Sequence, residues 1–284
     1  GWRPFNTGAL LRQLNEHIER KRAEAKSKAD PTVCAVRDAV LAQCRAKAKL
    51  ERGVFTLTVP TGGGKTLASL AFALEHANHH NRRLDCDGSP TDTPAQAWRH
   101  PIRRVIVVIP YLNIIHQTSR ELQEAFRHSD DDPVVLEHHS QAQDPEFNTS
   151  DATKDTDCYS RERTMRQLAA ENWDAPIVVT TSVQFFDSLF SRRPADARKL
   201  HNIAQSDIIF DEVQTFPPRL MQPILDVLGE LASPQRSYGC SLVFCTATQP
   251  ALRYDKADLR WGLKDVREIV EKPIEHFRAL QRTT

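Results

Sequence analysis

The chain has 284 residues, of which 40% are hydrophobic and 26% are charged. This is an ordinary composition for a globular protein and excludes wholesale disorder. There are 38 basic and 37 acidic residues, so the net charge of +1 identifies no partner, although it is compatible with a local basic groove. No apolar run approaches the roughly 20 residues of a membrane span, and the first residues lack the apolar core of a signal peptide. We therefore predict no membrane partner.

The length predicts two domains, or one large α/β domain with an appendage. The six cysteines form no CxxC pair and no zinc-like spacing, which favours a reducing, cytoplasmic compartment. Because the chain begins with Gly1 rather than Met, we expect it to be a fragment of a longer protein.

The first fifty residues are predicted to be helical. Apolar residues recur at helical spacing at Leu10, Leu11, Leu14 and Ile18, and the charged run ERKRAEAKSK that follows indicates a solvated face. Asp30 and Pro31 predict the start of a second helix, with Asp as N-cap and Pro at the first helical position. We predict residues 1–50 to be a helical linker or extension.

From residue 54 onward, short apolar runs rich in Val and Ile predict strands that are buried on both faces of a parallel sheet. These runs are Val54–Val59, Val105–Ile109, Ile177–Val179, Ile208–Phe210 and Leu242–Phe244. Helical stretches separate them, among them Lys65–His80, Leu112–His128 and Pro217–Leu231. This alternation predicts an α/β fold with a doubly wound parallel sheet and helices on both faces.

Two long polar connections, Asn81–Pro101 and Glu137–Tyr159, are predicted to be surface insertions, because structureless loops of more than about 15 residues are uncommon in compact domains.

A phosphate-binding loop is predicted at residues 54–66, which read VFTLTVPTGGGKT. Glycines let successive N–H groups curl around phosphate oxygens, and the start of a helix adds its partial positive charge there. We expect Lys65 to reach the β- and γ-phosphates of ATP and the Thr66 hydroxyl to bind Mg²⁺. The general GxxxxGK[ST] pattern has glycine where this chain has Val59. The predicted nucleotide-binding residues are Thr61, Gly62, Gly63, Gly64, Lys65 and Thr66.

An acidic pair follows a predicted strand in IIFDEVQ, residues 208–214. Chemistry at a γ-phosphate needs one carboxylate to hold Mg²⁺, here Asp211, and another to orient the attacking water, here Glu212. An acidic pair alone can also merely cap a strand. Thr246 and Thr248 follow the last predicted strand and could hydrogen-bond to the acidic pair, although threonines there are commonly turn residues.

In this order the motifs resemble the first RecA-like lobe of a superfamily-two DExD/H helicase. More closely, the chain resembles the helicase part of the CRISPR-associated helicase–nuclease family of type I systems. The stretches that carry the resemblance are Leu57–Ala77, Val105–Thr118, Leu136–Ser140, Val178–Ser191, Asp211–Pro217 and Phe244–Pro250. Within these helicases, the sequences EHHS (residues 137–140) and DEVQTFP (residues 211–217) point to the CRISPR family. In helicase-type phosphate loops, the position that Val59 occupies need not be glycine. We accordingly predict a RecA-like lobe at residues 51–255.

The resemblance implies contacts with the backbone of single-stranded DNA from Pro110, Tyr111, Thr180, Thr181 and Gln184. Each of these residues could equally be a turn or helix-cap residue. Many relatives have histidine where this chain has Gln214, and glutamine can still couple two lobes by hydrogen bonds. We therefore group Gln214 with Lys65, Asp211 and Glu212 as catalytic, and Thr246 with Thr248 as coupling residues.

The resemblance also implies partners. In the family a second RecA-like lobe supplies arginine fingers, and an HD-type nuclease domain completes the protein. We find no arginine-finger motif after residue 250 and no His-Asp dipeptide, so we expect both domains outside this chain and residues 256–284 to lead towards the second lobe. The implied substrate is single-stranded DNA displaced by an RNA-guided surveillance complex.

Several alternatives remain open at this stage. The chain could belong to another superfamily-two motor, such as an RNA helicase or a restriction translocase, or it could bind nucleotide or a partner without hydrolysis. Arg37 is a candidate adenine contact. His76 and His80 share a helical face at a spacing that could bind metal, but we favour a solvated, histidine-rich helix end with His79.

Overall fold

The computed structural model describes residues 5–26, 30–86, 100–126, 134–139, 172–193, 197–247, 252 and 262–281. The helices in these residues are α1 (Thr7–Lys26), α2 (Pro31–Lys47), α3 (Lys65–Cys86), α4 (Leu112–Ala125), α5 (Ser182–Phe190), α6 (Leu200–Ile203), α7 (Met221–Ala232) and α8 (Pro273–Gln281). The strands are β1 (Val54–Thr58), β2 (Arg104–Ile109), β3 (Val135–His138), β4 (Ile177–Thr181), β5 (Ser206–Phe210), β6 (Ser241–Thr246) and β7 (Arg267–Glu268).

The strands form one sheet in the order β3-β4-β2-β5-β6-β1-β7, and every pair is parallel. All residues of β1, β2, β4, β5 and β6 are buried, which is why these strands are apolar without alternation. The five strands that the sequence predicted are confirmed, with ends that differ by one or two residues.

The chain winds over the sheet in two directions. From β1 to β3 it moves towards one edge, and Leu70 of α3 and Ile115 of α4 lie in the core on one face. From β4 to β6 it returns, and Phe185 of α5 and Leu228 of α7 lie in a second core on the other face. The opposite directions place helices on opposite faces, since parallel crossovers are right-handed. This confirms the predicted doubly wound α/β fold.

The two N-terminal helices pack on the body of the fold. Leu14 of α1 and Val40 of α2 are fully buried in the same core as Leu70 of α3. As predicted, α2 begins at Pro31, and the Asp30 carboxylate accepts a hydrogen bond of 2.6 Å from the Thr32 amide. The boundary at residue 50 stays a prediction, but the segment before it contributes to the core.

The structure corrects several predicted bounds. Helix α3 continues to Cys86, so the insertion predicted from Asn81 begins as helix, and the Asn81 side chain exchanges two hydrogen bonds of 2.8 Å with the backbone of Ile102. The second insertion was predicted from Glu137, but Glu137 and His138 belong to β3. The remainder of the second insertion beyond His139, and residues 87–99 of the first, lie outside the described residues.

Two predicted helix ends also differ. Helix α4 ends at Ala125 rather than at His128, which lies outside the described residues. Helix α7 begins at Met221, after a 3₁₀ turn at Pro218–Leu220, rather than at Pro217.

The C-terminal residues 262–281 return to the sheet. Strand β7 pairs with β1, and α8 packs beside α2. Among the described residues, no helix is long and apolar enough to cross a membrane.

Candidate nucleotide-binding site

Three predicted motifs meet at one edge of the sheet. The phosphate loop follows β1, Thr246 ends β6 and the acidic pair follows β5, and these strands are neighbours in the order β5-β6-β1. In a parallel sheet, the carboxyl ends of neighbouring strands bring loops from distant parts of the chain together. Residues about 150 positions apart therefore share one site.

The phosphate loop explains why valine replaces a glycine at position 59. Val59 is fully buried, and its amide donates a hydrogen bond of 3.0 Å to the carbonyl of Thr246. A Cβ added to Gly63 would lie 2.5 Å from Cγ1 of Val59. The valine side chain therefore fills the space beside Gly63, which has no side chain of its own. Gly62 and Gly64 have φ values of +81° and +82°, which favour glycine.

The amides at the start of α3 are oriented as a phosphate site requires. The first helical hydrogen bond runs from the Ala68 amide to the Gly64 carbonyl at 3.2 Å. The preceding amides, including those of Lys65 and Thr66, have no acceptor within the helix and carry its partial positive charge. Thr61 and Gly62 are exposed and Gly64 to Thr66 are partly exposed, so a ligand can reach the loop.

Arg37 from α2 holds the outer side of this loop. Its Nε donates a hydrogen bond of 2.9 Å to the Gly62 carbonyl, and a Cβ on Gly64 would lie 3.3 Å from its Cγ. The sequence suggested Arg37 as an adenine contact, and that role stays a prediction; in the structure its guanidinium lies on the phosphate loop.

The acidic pair faces the lysine of the loop. Lys65 Nζ donates a hydrogen bond to Oε1 of Glu212, and the lysine side chain is only 10% exposed. Burial raises the pKa of Asp211, an effect that the positive charge of Lys65 opposes and the carboxylate of Glu212 reinforces. Glu212 has φ +49° and ψ +53°, a left-handed conformation that costs energy for a residue other than glycine. A strained carboxylate beside a buried lysine is typical of a functional site.

A chain of hydrogen bonds joins the acidic pair to β6. Gln214 Nε2 donates to Oε2 of Glu212, and Thr246 Oγ1 donates to Oε1 of Gln214 at 2.9 Å. The sequence led us to expect a bond from Thr246 to this region, and the structure contains one. Thr248 lies outside the described residues, and the coupling role of both threonines stays a prediction.

The residues predicted to bind Mg²⁺ fall together. Thr66 and Asp211 line one small cavity with Ser69 and Cys245. A hydroxyl and a carboxylate are oxygen ligands of the kind that Mg²⁺ prefers, and a cation there would offset the cost of burying the Asp211 charge. The residues present therefore fit a Mg²⁺ ion.

The predicted DNA contacts lie farther along the same edge. Pro110 and Tyr111 follow β2, while Thr180 and Thr181 end the neighbouring β4. Tyr111 is 53% exposed, whereas Thr180 is fully buried. The Thr181 hydroxyl accepts a hydrogen bond of 3.3 Å from the amide of Gln184 and so caps α5. The structure thus gives Thr181 a capping role, and the DNA contacts stay predictions.

The sequence predicted a solvated, histidine-rich end of α3, and this prediction was wrong for His76 and His80. His76 is fully buried with its Nδ1 3.0 Å from Oδ2 of Asp207, and His80 is 7% exposed with its Nε2 3.0 Å from the carbonyl of Leu50. Burial, followed by the neighbouring His76, lowers the pKa of His80 to about 3. These two side chains are therefore buried and hydrogen-bonded rather than solvated.

Sequence reasoning missed Glu268 of β7. Its carboxylate accepts hydrogen bonds from the hydroxyls of Thr56 and Thr58, at 2.9 and 2.7 Å, and from the amides of Thr58 and Val270, at 3.1 and 3.2 Å. It anchors the strand that leads into the phosphate loop. No local pattern points to it, because its partners on β1 lie more than 200 positions earlier.

A family model described as DEAD/DEAH box helicase matches residues 41–256. The chain is 28% identical over 204 residues to the CRISPR-associated nuclease/helicase Cas3 of Haloferax volcanii, a match that covers 71% of this chain and 20% of that protein. The chain thus spans about a fifth of the length of this relative. These matches confirm the resemblance identified from the motifs.

Two solved structures illustrate the structural similarity. The T. fusca Cas3–ATP structure has a TM-score of 0.47 at 17% identity, covering 73% of this chain and 20% of that chain. The DUF1998 helicase MrfA bound to DNA has a TM-score of 0.48 at 14% identity, covering 84% and 29%.

Proposed function

Because the chain belongs to the DEAD/DEAH box helicase family, we propose that it is the ATP-binding lobe of an ATP-dependent single-stranded-DNA translocase of type I CRISPR interference. The observation that carries the proposal is the continuous contact from Lys65 through Glu212 and Gln214 to Thr246. This contact joins three helicase motifs at the carboxyl edge of a RecA-like sheet.

In this proposal the phosphates of ATP lie on the loop amides at residues 61–66. Lys65 exchanges its contact with Glu212 for the β- and γ-phosphates, and Thr66 and Asp211 hold Mg²⁺. The ion supplies positive charge against the phosphate oxygens. The buried position of Lys65 strengthens this attraction, because few water molecules compete for the ammonium group.

Glu212 is freed when Lys65 turns to the phosphates, and its carboxylate then orients the attacking water. Gln214 holds the second carboxylate oxygen, and Thr246 holds Gln214 in turn. The orientation of Glu212 therefore depends on β6. This link gives a route by which a change in nucleotide state can reach the rest of the sheet edge.

The DNA strand would cross the ends of β2 and β4, where Tyr111 is exposed and Gln184 lies in the first turn of α5. Backbone amides and hydroxyls bind phosphates without reading bases, as a translocase requires. Thr180 can take part only after a local rearrangement, since its side chain is buried.

The activity requires partners outside this chain. We propose a second RecA-like lobe that supplies arginine fingers, an HD-type nuclease domain in the same protein, and delivery of DNA by an RNA-guided surveillance complex, in the cytoplasm. The curated relative combines nuclease and helicase in its name and is about five times the length of the match.

The proposal is tested by ATP hydrolysis in a protein that extends this chain through the second lobe, measured without nucleic acid, with single-stranded DNA and with single-stranded RNA. We expect stimulation by DNA, abolished by Lys65→Ala and by Glu212→Gln. Stimulation by RNA alone would favour an RNA helicase, whereas ATP binding without hydrolysis would favour a non-hydrolysing binding module.

A further inference from the structure

A second cluster of ligand-type side chains lies at the far edge of the sheet. Nδ1 of His116 is 2.7 Å from Oε1 of Glu137, and Nε2 of His139 is 3.0 Å from the same oxygen. One ligand atom from each residue lies within 4.8 Å of the others. His116 comes from the first half of α4, and the other two residues come from the end of β3 and the position after it.

The backbone explains why these residues converge. Successive side chains of a strand point to opposite faces, so Glu137 and His139 share a face while His138 points away. His138 instead lies 5.9 Å from the ring of Trp173, measured between ring centroids. Helix α4 packs across β3 and brings His116 over the pair.

The geometry is close to that of a metal centre. The rings of His116 and His139 are 5.0 Å apart and inclined at 85°, so they do not stack, and one nitrogen of each is directed at the carboxylate. Ligand atoms about 2.1 Å from a tetrahedral ion lie roughly 3.4 Å from one another. The two N–O separations therefore need to lengthen by less than about 1 Å to admit an ion.

The burial of the three side chains fits the same interpretation. The side chain of His139 is 4% exposed and that of Glu137 is 21% exposed, so these two ligands are held by the protein. His116 is 65% exposed, which leaves one side open for a water ligand. Three protein ligands and one open position are a common zinc arrangement.

We propose that His116, Glu137 and His139 bind a divalent transition metal of the Zn²⁺ type. Two imidazoles and one carboxylate suit Zn²⁺ and disfavour Mg²⁺, which prefers oxygen ligands. The site is separate from the nucleotide site, because β3 and β1 are five strand spacings apart in the sheet, roughly 24 Å. The inference does not depend on the proposed function.

The ion would fasten α4 to the edge strand β3. Glu137 is paired with Val179 and His138 with Thr180 on β4, so the cluster adjoins the strand end where DNA contacts are predicted. Occupancy would therefore stiffen that part of the edge as well as stabilise the folded chain.

The test is a calorimetric titration of the chelator-treated chain with Zn²⁺ in the presence of excess Mg²⁺. We expect one Zn²⁺ per chain and a higher melting temperature with the ion. His116→Ala should weaken binding by more than about tenfold, the loss that even outer-shell substitutions cause at zinc sites. Because His116 is exposed, we expect this variant to fold as wild type does, which circular dichroism checks. Glu137→Gln should weaken binding as well.

Two matched controls locate the ion. His276→Ala on α8 and Asp211→Asn at the nucleotide site should keep wild-type Zn²⁺ affinity. The proposal is overturned if the chain binds no Zn²⁺, if His116→Ala binds it as tightly as wild type, or if Asp211→Asn removes the binding. In those cases Glu137 only accepts hydrogen bonds from two imidazoles.

Discussion

At the scale of single residues, the contact between Lys65 and Glu212 joins two motifs 147 positions apart. The carboxylate carries the negative charge nearest to the lysine, so it occupies the place that we assign to a phosphate oxygen. Glu212 also keeps a strained backbone, a cost of order 1–3 kcal/mol that persists where surrounding structure enforces it. Both features suit a carboxylate that contacts Lys65 before ATP binds and gives up this contact when the phosphates arrive.

Glu212→Gln should separate binding from hydrolysis. The amide keeps the shape and the contact with Gln214 but cannot act as a base, so we expect ATP hydrolysis by the two-lobe protein to fall about 10²–10⁴-fold. ATP affinity should stay within about threefold of wild type, because Lys65 still reaches the phosphates. Single-turnover hydrolysis and calorimetric binding measure the two quantities. Glu230→Gln on α7, an exposed glutamate, is the control, and an equal loss in both variants would contradict the assignment.

Gly63→Ala should disturb the phosphate loop through Val59. The added Cβ would lie 2.5 Å from Cγ1 of Val59 and 3.0 Å from the Pro60 carbonyl, and overpacking of this kind costs about 1–3 kcal/mol of unfolding free energy. Urea denaturation measures the loss. The double variant Val59→Ala with Gly63→Ala should lose less unfolding free energy than the two single variants lose in sum. Simple additivity would show that the two side-chain positions do not compete.

Residue roles were predictable where a motif carried them and not elsewhere. The loop glycines, Lys65 and the acidic pair stand in recognisable order along the chain. The hydrogen bond from Arg37 to the Gly62 carbonyl depends on how α2 packs beside the loop. No spacing of residues in the sequence predicts that packing. The prediction of a solvated His76 was wrong, because a histidine can be buried when a core carboxylate such as Asp207 lies within hydrogen-bond distance of its ring nitrogen.

At the scale of elements, β7 is a two-residue strand at the edge of the sheet that could not persist through its ladder alone. The carboxylate of Glu268 adds further bonds between β7 and β1. It accepts three hydrogen bonds from Thr56 and Thr58 of β1 and a fourth from the amide of Val270, just after β7. The segment after residue 262 thereby closes the edge beside β1, next to the phosphate loop.

Glu268→Gln should detach this element. Hydrogen bonds to a charged acceptor contribute about 1.5–3 kcal/mol, and the amide cannot accept with both groups, so we expect a loss of that order in the free energy of unfolding. Glu271→Gln is the matched control. Glu271 is 73% exposed and pairs with Lys47 at 3.0 Å, and surface pairs contribute at most about 1 kcal/mol. Equal losses in the two variants would contradict the anchoring role.

Helices and strands were predictable to different extents. The strands were found because a sheet covered on both faces demands continuous apolar runs. Helix α3 was predicted too short, since its polar last turns Asn81–Cys86 lack an apolar stripe and are held by the Asn81–Ile102 pair. Helix α1 was predicted from the helical spacing of its apolar half, and that half packs in the main core.

At the scale of the whole molecule, the buried His80 of α3 should make the free energy of unfolding depend on pH. The pKa of His80 is lowered to about 3 in the folded chain, below its ordinary 6.5. The unfolded chain therefore binds the extra proton between these values, so the stabilisation is complete above pH 6.5 and is lost as the pH falls towards 3. The loss is at most about 1.4 kcal/mol per pH unit for this group.

Urea denaturation at pH 7.5 and 5.5 checks this prediction. The difference in unfolding free energy between the two pH values should shrink by up to about 1.4 kcal/mol in His80→Gln. His201→Gln, which changes an exposed histidine, should keep the wild-type difference. A His80→Gln profile parallel to wild type would show that His80 does not titrate in this window.

The fold class was predictable from the order in which strands and helices alternate along the chain. Alternating strands and helices imply a parallel sheet, and the motif-bearing strand ends must then share an edge. The strand order itself, with β3 at one edge and β1 near the other, was not encoded in any local pattern. The convergence of His116 with Glu137 and His139 depends on how α4 packs across β3, and no sequence spacing predicts that packing.

The central claim is that the ends of β1, β5 and β6 form a nucleotide site, and calorimetric titration of this chain with Mg²⁺–ATP tests it most directly. We predict binding of one ATP per chain, weakened at least about tenfold by Lys65→Ala, because a charge-assisted contact contributes about 1.5–3 kcal/mol. Lys272→Ala, a change at a 75% exposed lysine, should bind as wild type does. Absence of ATP binding, or equal affinity in Lys65→Ala, would contradict the account.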